Sequence, residues 1–175
     1  IAGTNGGTFT INPDGSYTFN PGKDFVYLPK DATTTTSITY TISDGEGGTD
    51  TAVLTITVTG LNDAPVSTAI ENQKNEDADD VSLDVSGSFS DPDAGDVLTF
   101  DATGLPAGLT IDASTGVISG TIDNSASQGG PNGDYTVTVT VTDPHGATSS
   151  QKFTWTVTNP DPVAIDDFAN VTEDT

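Results

Sequence analysis

The chain has 175 residues, with 26 Asp and Glu against four Lys and no Arg, a formal net charge of −22 at pH 7. Such a balance offers no basic footprint for nucleic acid or an anionic membrane, which excludes both as partners. There is no Cys, so no disulfide staples the fold; this suits an exported protein stabilised by metal, and leaves a cytosolic origin open.

In chain order, the first patterned segment is Phe9-Thr-Ile-Asn-Pro-Asp-Gly-Ser-Tyr17, two apolar stretches around a Pro-Asp-Gly turn. Ser37–Asp44 and Thr51–Thr59 then alternate bulky and polar residues across the Gly-rich turn Ser43-Asp-Gly-Glu-Gly-Gly48. Period-2 alternation is the signature of strands with one buried and one wet face. Thr suits the wet face because it is β-branched and tolerates water. A short linker, Asn62-Asp-Ala-Pro65, follows. Asn75–Asp80 reads as a solvated acidic loop ahead of a Val81–Val85 strand. Leu109–Val117 repeats the pattern of 9–17, and Asn124–Asn132 is a polar loop longer than a tight hairpin needs. Tyr135–Thr142 and Lys152–Thr158 are again alternating strands, the last with Phe153, Trp155 and Val157 inward. No window shows helical spacing, so the expected fold class is all-β. That alternation separates the chain from a disordered acidic polymer, which its 33% hydrophobic content would otherwise suggest.

The two halves match. Asp44 and Asp143 fall at equivalent places 99 positions apart, and a period near 100 residues corresponds to one β-sandwich per repeat. On this register residues 1–61 form the back part of one module, 62–160 a complete sandwich, and 161–175, beginning at Pro162-Val-Ala-Ile-Asp-Asp167, the opening strand of another. Residue 1 begins mid-pattern without a signal peptide, so the sequence reads as an excerpt. No apolar run approaches the roughly 18–20 residues of a membrane span. Half a sandwich leaves an apolar face and open strand edges. The 1–61 segment is therefore expected either to be completed, for instance by a 162–172 strand exchanged from a neighbouring chain, or to be a piece cut at an arbitrary boundary.

Ser90-Asp-Pro-Asp-Ala-Gly-Asp96 carries the clearest chemistry. Three carboxylates held this close repel one another unless a cation sits among them, and hard oxygen ligands on a flexible loop suit calcium. For Asp14, Asp44 and Asp112 two readings stand side by side: metal ligation, and turn chemistry in which the side chain bonds nearby backbone. Other chemistry lacks its parts. Nothing marks one carboxylate as the buried, protonated acid a glycosidase needs. His145 is the single histidine, and its Pro-His-Gly turn reads as exposed; no phosphate-cradling glycine motif is present. Asn170-Val-Thr172 matches a glycosylation acceptor, a pattern common by chance. The expectation is not an enzyme.

Residues 63–160 resemble the dystroglycan-type cadherin-like module, also called a putative-Ig repeat, through Ser90–Phe100, Gly104-Leu-Pro-Ala-Gly-Leu-Thr-Ile-Asp112 and Thr115-Gly-Val-Ile-Ser-Gly120. Residues 3–65 resemble the VCBS-type repeat through Gly7–Phe19, the Ser43-Asp-Gly turn and Leu61-Asn-Asp-Ala-Pro65. The resemblance implies tandem cadherin-like or Ig-like Greek-key β-sandwiches, from a large bacterial surface adhesin of the RTX kind secreted by a one-step type I system. It also implies Ca2+ at module junctions. Carried over by motif, the upper site of the complete module takes Asp91, Asp93 and Asp143, with Asn62 and Asp63 from the linker and Asn12 and Asp14 from the preceding module. A second site below it takes Asp112, Glu71, Asn159 and Asp161, although Ser114 stands where the family has a second acid after Asp112. Asp96 is a weaker candidate for the upper site. One or two ions per junction are expected.

Two functional readings follow, and a third. The first is a structural extender for cell adhesion and biofilm, stiffened by calcium between neighbouring modules of one protein. The second is a module binding cell-surface carbohydrate or a partner protein through Asn124–Asn132, although that loop has no aromatic residue. The third is a self-assembling extracellular filament subunit using strand exchange.

Overall fold

The computed structural model describes residues 1–162. The expected opening strand at 161–175 lies almost wholly outside the described residues, as does the Asn170 acceptor. The N-terminal unit comprises β1 (Thr8–Ile11), β2 (Tyr17–Asn20), β3 (Thr33–Ser43) and β4 (Thr49–Thr59). β1 and β2 form a hairpin, and β3 and β4 pair antiparallel from Thr33↔Thr59 to Ser43↔Thr49. Between them lies a small core in which the Phe9 and Phe19 rings sit 4.8 Å apart and Phe19 and Phe25 6.3 Å apart. Thr36, buried in this core, donates its hydroxyl to the Gly6 carbonyl at 2.9 Å, which satisfies the one polar group there.

The second unit holds β5 (Val66–Ser67), β6 (Gln73–Glu76), β7 (Asp80–Asp84), β8 (Phe89–Ser90), β9 (Thr99–Thr103), β10 (Leu109–Ile111), β11 (Val117–Thr121), β12 (Asp134–Thr142) and β13 (Thr148–Thr158). A four-stranded sheet in the order β6-β13-β12-β9 faces a three-stranded sheet β10-β11-β7, and β5 and β8 form a short ribbon. β6 joins the edge of β13 in parallel, from Gln73↔Trp155 to Glu76↔Thr158. The inward residues Phe153, Trp155 and Val157 meet Val137, Val139 and Val141 of β12 and Ile118 of β11 in one core. Trp155 is fully buried and its indole N–H donates to Asn75 Oδ1 at 3.1 Å. Two single-turn 3-10 segments, Ser86–Ser88 and Ala126–Gln128, are the only helical elements among the described residues. Among the described residues no helix is long and apolar enough to cross a membrane.

The internal repeat is visible at the level of single hydrogen bonds. The hairpin β1–β2 corresponds to β10–β11, and β3–β4 to β12–β13. Asp44 Oδ1 accepts the Glu46 and Gly48 amides at 2.8 and 2.9 Å, and Asp143 Oδ1 accepts the His145 and Ala147 amides, both at 2.8 Å. The same cap closes both turns.

The reading of 75–80 as a solvated loop needs correcting. Asn75 and Glu76 belong to β6, and Asp77 is only 6% exposed. Its carboxylate accepts the Ser127 amide at 2.7 Å and the Ser127 hydroxyl at 2.6 Å, while its own amide donates to the Thr158 carbonyl at 3.0 Å. Those bonds compensate its burial. They also anchor the polar 124–132 segment, where Tyr135 donates its hydroxyl to the Ala126 carbonyl at 2.6 Å.

Trp155→Phe should leave Asn75 Oδ1 unpaired and cost about 1–3 kcal/mol, whereas Trp155→Ala should cost about 3–5 kcal/mol. Ile56→Ala, at the matching position of β4, should cost less than Trp155→Ala, about 2–3 kcal/mol, because that side chain is smaller and already partly exposed. Chemical denaturation of the three variants checks this order.

Candidate metal centre

The junction between the two units is built by short-range constraints on the linker. Gly60 is buried where β4 ends; it donates to the Ala32 carbonyl at 2.8 Å and accepts the Asp31 amide at 3.1 Å. A Cβ at Gly60 would collide with the Leu28 and Pro29 carbonyls, so only glycine fits. Two residues later the linker reaches the second unit. Asn62 donates its side-chain amide to Asp143 Oδ2 at 2.8 Å, and the Asp63 backbone amide donates to Asp93 Oδ2 at 2.9 Å. Pro65 is buried, and β5 pairs with β8 through Val66↔Ser90. That pairing sets the linker beside Asp91, the residue after β8.

The loop that follows β8 turns its acids inward. The Asp93 amide donates to Asp91 Oδ1 at 2.9 Å, and the Asp96 amide to the Asp93 carbonyl at 3.3 Å. One carboxylate oxygen from each of Asp91, Asp93 and Asp96 lies within 4.8 Å of the other two. Asp93 is 2% exposed. Four buried oxygens have no hydrogen-bond partner: Asn62 Oδ1, Asp91 Oδ2, Asp93 Oδ1 and Asp96 Oδ2. They are the only such atoms among the described residues, and all four belong to this junction. The His145 Nδ1 approaches Asp96 Oδ2 at 3.6 Å, too long for a hydrogen bond.

Electrostatics gives the same picture. Burial pushes the Asp91 carboxyl above its ordinary range, the Asp93 amide opposes that shift, and the negative charges of Asp93, Asp96 and Asp143 add to it. Burial also acts on Asp143, but the amide hydrogens of Asn62, Ala147 and His145 outweigh it and hold its pKa down. Asp143 is thus a satisfied anion that orients Asn62, while Asp91 is an anion short of positive charge. A cation ligated by oxygen supplies what is missing, and three carboxylates with a side-chain carbonyl are hard ligands of the kind calcium takes. The donor set fits.

The structure brings together Asn62, Asp63, Asp91, Asp93 and Asp143 from the expected upper site and adds Asp96. Asn12 and Asp14 do not join them. Their turn lines a cleft with Thr41, Ile42 and Ser43, at the Ser43/Thr49 end of the β3–β4 hairpin, whereas the linker leaves from the Thr33/Thr59 end. The strands run lengthwise between turn and junction, so the two are separated by the whole hairpin. Asp14 Oδ1 instead accepts the Ser16 amide and hydroxyl at 2.9 and 2.7 Å. What the first unit presents to the junction is the Tyr27 carbonyl, which accepts the Ala94 amide at 3.0 Å.

Among the described residues the expected second site is not brought together. Asp112 sits at the β10–β11 turn; the carbonyl of its neighbour Ala113 accepts the amide of Phe100, which pairs with Val141 two residues from Asp143. It therefore lies toward the upper end, and its Oδ1 is occupied by the Ser114 and Thr115 amides and the Thr115 hydroxyl, at 2.8–3.0 Å. Glu71 is exposed two residues before the Gln73↔Trp155 pair, part-way along the sandwich. Asn159 and Asp161 are exposed beyond the lower end of β13. Turn chemistry also accounts for Asp14, Asp44 and Asp112. Sequence reasoning ranked Asp96 below the other two carboxylates of its tract and passed over His145. The signal for Asp96 was its place in the same tight acidic tract; for His145 there was none, since its nearness to Asp96 depends on a fold contact.

The family model described as Putative Ig domain matches residues 64–158, and that described as bacterial cadherin-like domain matches residues 1–60. Among curated proteins none matches the sequence. Among solved structures, mouse cadherin-23 EC22-24 aligns over 91% of this chain and 52% of its own, at 14% identity and TM-score 0.54. Extracellular cadherin domains 1–4 of protocadherin gamma B7 align over 88% of this chain and 39% of their own, at 19% identity and TM-score 0.53. These likenesses show the cadherin-like, all-β fold. A Bacteroides fragilis structure described as "a putative alpha-galactosidase/melibiase" aligns over 56% of this chain and 18% of its own, at 19% identity and TM-score 0.42, and carries no argument about activity. The chain thus spans only a fraction of the length of each of these structures.

Asp91→Asn should raise the melting temperature of the metal-free protein at neutral pH. A carboxyl whose pKa is raised by folding favours the folded state at low pH, and that contribution is lost as pH rises from the ordinary aspartate range through the raised value. The advantage of the variant should therefore vanish under acid conditions where Asp91 is protonated anyway. Thermal melts of both proteins in chelator across pH 2–7 on the order of half-unit steps measure it.

Proposed function

The chain belongs to the Putative Ig domain family, and on that premise we propose that it is a calcium-rigidified structural extender from a large bacterial cell-surface adhesin. The observation that carries this reading is the set of four buried, partnerless oxygens on Asn62, Asp91, Asp93 and Asp96 at the joint between the units. Asn62 belongs to the linker and the three aspartates to the following sandwich, so a cation held by all four ties one to the other. Calcium, when bound, supplies the positive charge that lets the three carboxylates stay close; backbone carbonyls and water complete its six to eight ligands.

The residues of the chain do the rest. Asp143 orients Asn62 through a 2.8 Å bond, and Asp93 grips the Asp63 amide with the oxygen that faces the linker. The loop carrying Asp93 and Asp96 also donates the Ala94 amide to Tyr27 of the preceding unit. Ordering that loop therefore fixes both the linker and the neighbour beyond it. Without a cation, burial and the neighbouring negative charges that together raise the Asp91 pKa leave the carboxylates repelling one another, and that repulsion loosens the loop.

Structural and adhesive roles fit cadherin-like and Ig-like domains, which are typically non-enzymatic and extracellular. Placement in an RTX-type adhesin with VCBS-type repeats, secreted by a type I system and serving biofilm, rests on the sequence motifs at Gly7–Phe19, Leu61–Pro65 and Ser90–Phe100. Neighbouring modules of the same protein are its first partners.

Calcium at about a hundred times its dissociation constant should add roughly 2.7 kcal/mol, equivalent to roughly 5–10 °C in melting temperature for a chain this size. Small-angle X-ray scattering should show a narrower distribution of inter-unit distances with calcium than with chelator. Asp93→Asn should lose both responses. Equal melts and equal scattering in calcium and chelator would rule the clamp out.

A further inference from the structure

His145 stands in a turn whose own acid is already used: Asp143 Oδ1 accepts the His145 and Ala147 amides, and Oδ2 accepts the Asn62 side chain. The ring instead meets a residue from the other loop of the joint. Its Nδ1 lies 3.6 Å from Asp96 Oδ2, too long for a hydrogen bond. The Asp96 side chain is only 10% exposed, and this oxygen is buried without a hydrogen-bond partner. Asp91 Oδ2 and Asp93 Oδ1 are left in the same state. Each of those two residues brings a carboxylate oxygen within 4.8 Å of one on Asp96. A nitrogen donor therefore borders a group of oxygens that have nothing to bind.

The 3.6 Å gap has the size that a shared ion sets. Zinc bonds to imidazole nitrogen and carboxylate oxygen are about 2.0–2.2 Å long, so two such ligands at the tetrahedral angle lie about 3.4 Å apart. The observed separation agrees to about 0.2 Å, the tolerance expected of a metal site. At a right angle the same bonds would bring the two atoms to about 3.0 Å, a poorer match. Calcium takes oxygen ligands, whereas neutral imidazole suits zinc and its neighbours in the first transition row. We propose that the joint also takes a divalent ion of the zinc type, ligated by His145 Nδ1, Asp96 Oδ2 and one further carboxylate of Asp91 or Asp93, with water in the fourth position. The inference rests on the reading of this joint as a metal centre.

The surroundings of His145 suit that role. Its backbone amide, bonded to Asp143 Oδ1 at 2.8 Å, fixes the turn against the joint, and its ring is 31% exposed, which gives an ion a way in. Ligation at Nδ1 puts the ring proton on Nε2. Asp96 is the point of conflict between the two ions. Calcium draws its Oδ2 toward the linker oxygen of Asn62, and zinc draws it toward the β12–β13 turn. Each ion should therefore weaken the other by the same factor, as linkage requires. Calcium closes the joint through the linker; zinc closes one loop of the sandwich on the other and leaves Asn62 out.

Long-range proton–nitrogen NMR of the untagged, nitrogen-15-labelled full chain, stripped with chelator and titrated with Zn2+ at neutral pH, tests the proposal. His145 is the single histidine, so the ring signals belong to it alone. Zn2+ should shift Nδ1 and leave the proton on Nε2, and calcium alone should not produce that shift. In calorimetry, His145→Ala should weaken Zn2+ binding by more than the roughly tenfold that losing even an outer partner of a metal ligand costs, while calcium uptake stays in place. A ring that Zn2+ leaves unmoved, or moves at Nε2 alone, overturns the proposal. So does a His145→Ala chain that binds Zn2+ as tightly as the wild type. Calcium uptake with no ring shift removes this inference and leaves the calcium clamp standing; a ring shift in a chain that takes up no calcium does the reverse.

Discussion

Three carboxylates and one amide oxygen buried at a joint, without a hydrogen bond among them to spare, set the terms for everything near them. Folding brings Asp91, Asp93 and Asp96 within 4.8 Å of one another and removes them from most of the solvent. In a chain of net charge −22 there is almost no internal cation to offset that; the four lysines are spread over the length of the sequence. The loop is held in its inward shape by backbone, through Asp91 to the Asp93 amide and Asp93 to the Asp63 amide. Four side-chain oxygens at the joint are left without a hydrogen-bond partner. Such an arrangement is stable when a divalent ion shares them and strained when none does.

The fold around this joint was largely legible in the sequence, for a physical reason. Alternation has a period of two, and a strand that shows it over eight residues can bury only one set of side chains. Phe153, Trp155 and Val157 therefore had to face the core, and do. The turn caps were legible too, since an Asp that opens a short Gly-containing turn can bond the amides of that turn, as Asp44 and Asp143 both do. The β6 strand was not. Gln73-Lys-Asn-Glu76 has no apolar alternation, because it adds to a sheet edge through its backbone and sends Asn75 to meet the Trp155 indole. Asp77 was hidden in the same way: its burial depends on Ser127, fifty residues away.

The site divides along the same line. Asp91 and Asp93, local to one turn, were recognised from spacing, and Asn62, Asp63 and Asp143 from family motifs. The residues carried over from farther away failed. Asn12 and Asp14 were placed at the wrong end of a hairpin, because motif matching does not say which end of a strand pair faces the next module. Asp112 and Glu71 were assigned to a junction they do not reach. Where a carboxylate has three donors from its own turn, as Asp112 does, its sequence context looks like a ligand motif and its chemistry is already complete. Unmet hydrogen-bonding capacity, not acidity, distinguishes Asp96 from Asp112.

Isothermal titration of calcium into the chelator-treated full chain at neutral pH tests the clamp most directly. The prediction is one saturable site of the junction type, with binding lost in Asp93→Asn and retained in Asp112→Asn. A wild-type chain that takes up no calcium, or an Asp93→Asn variant that binds it as the wild type does, would contradict the assignment of the junction as the metal centre.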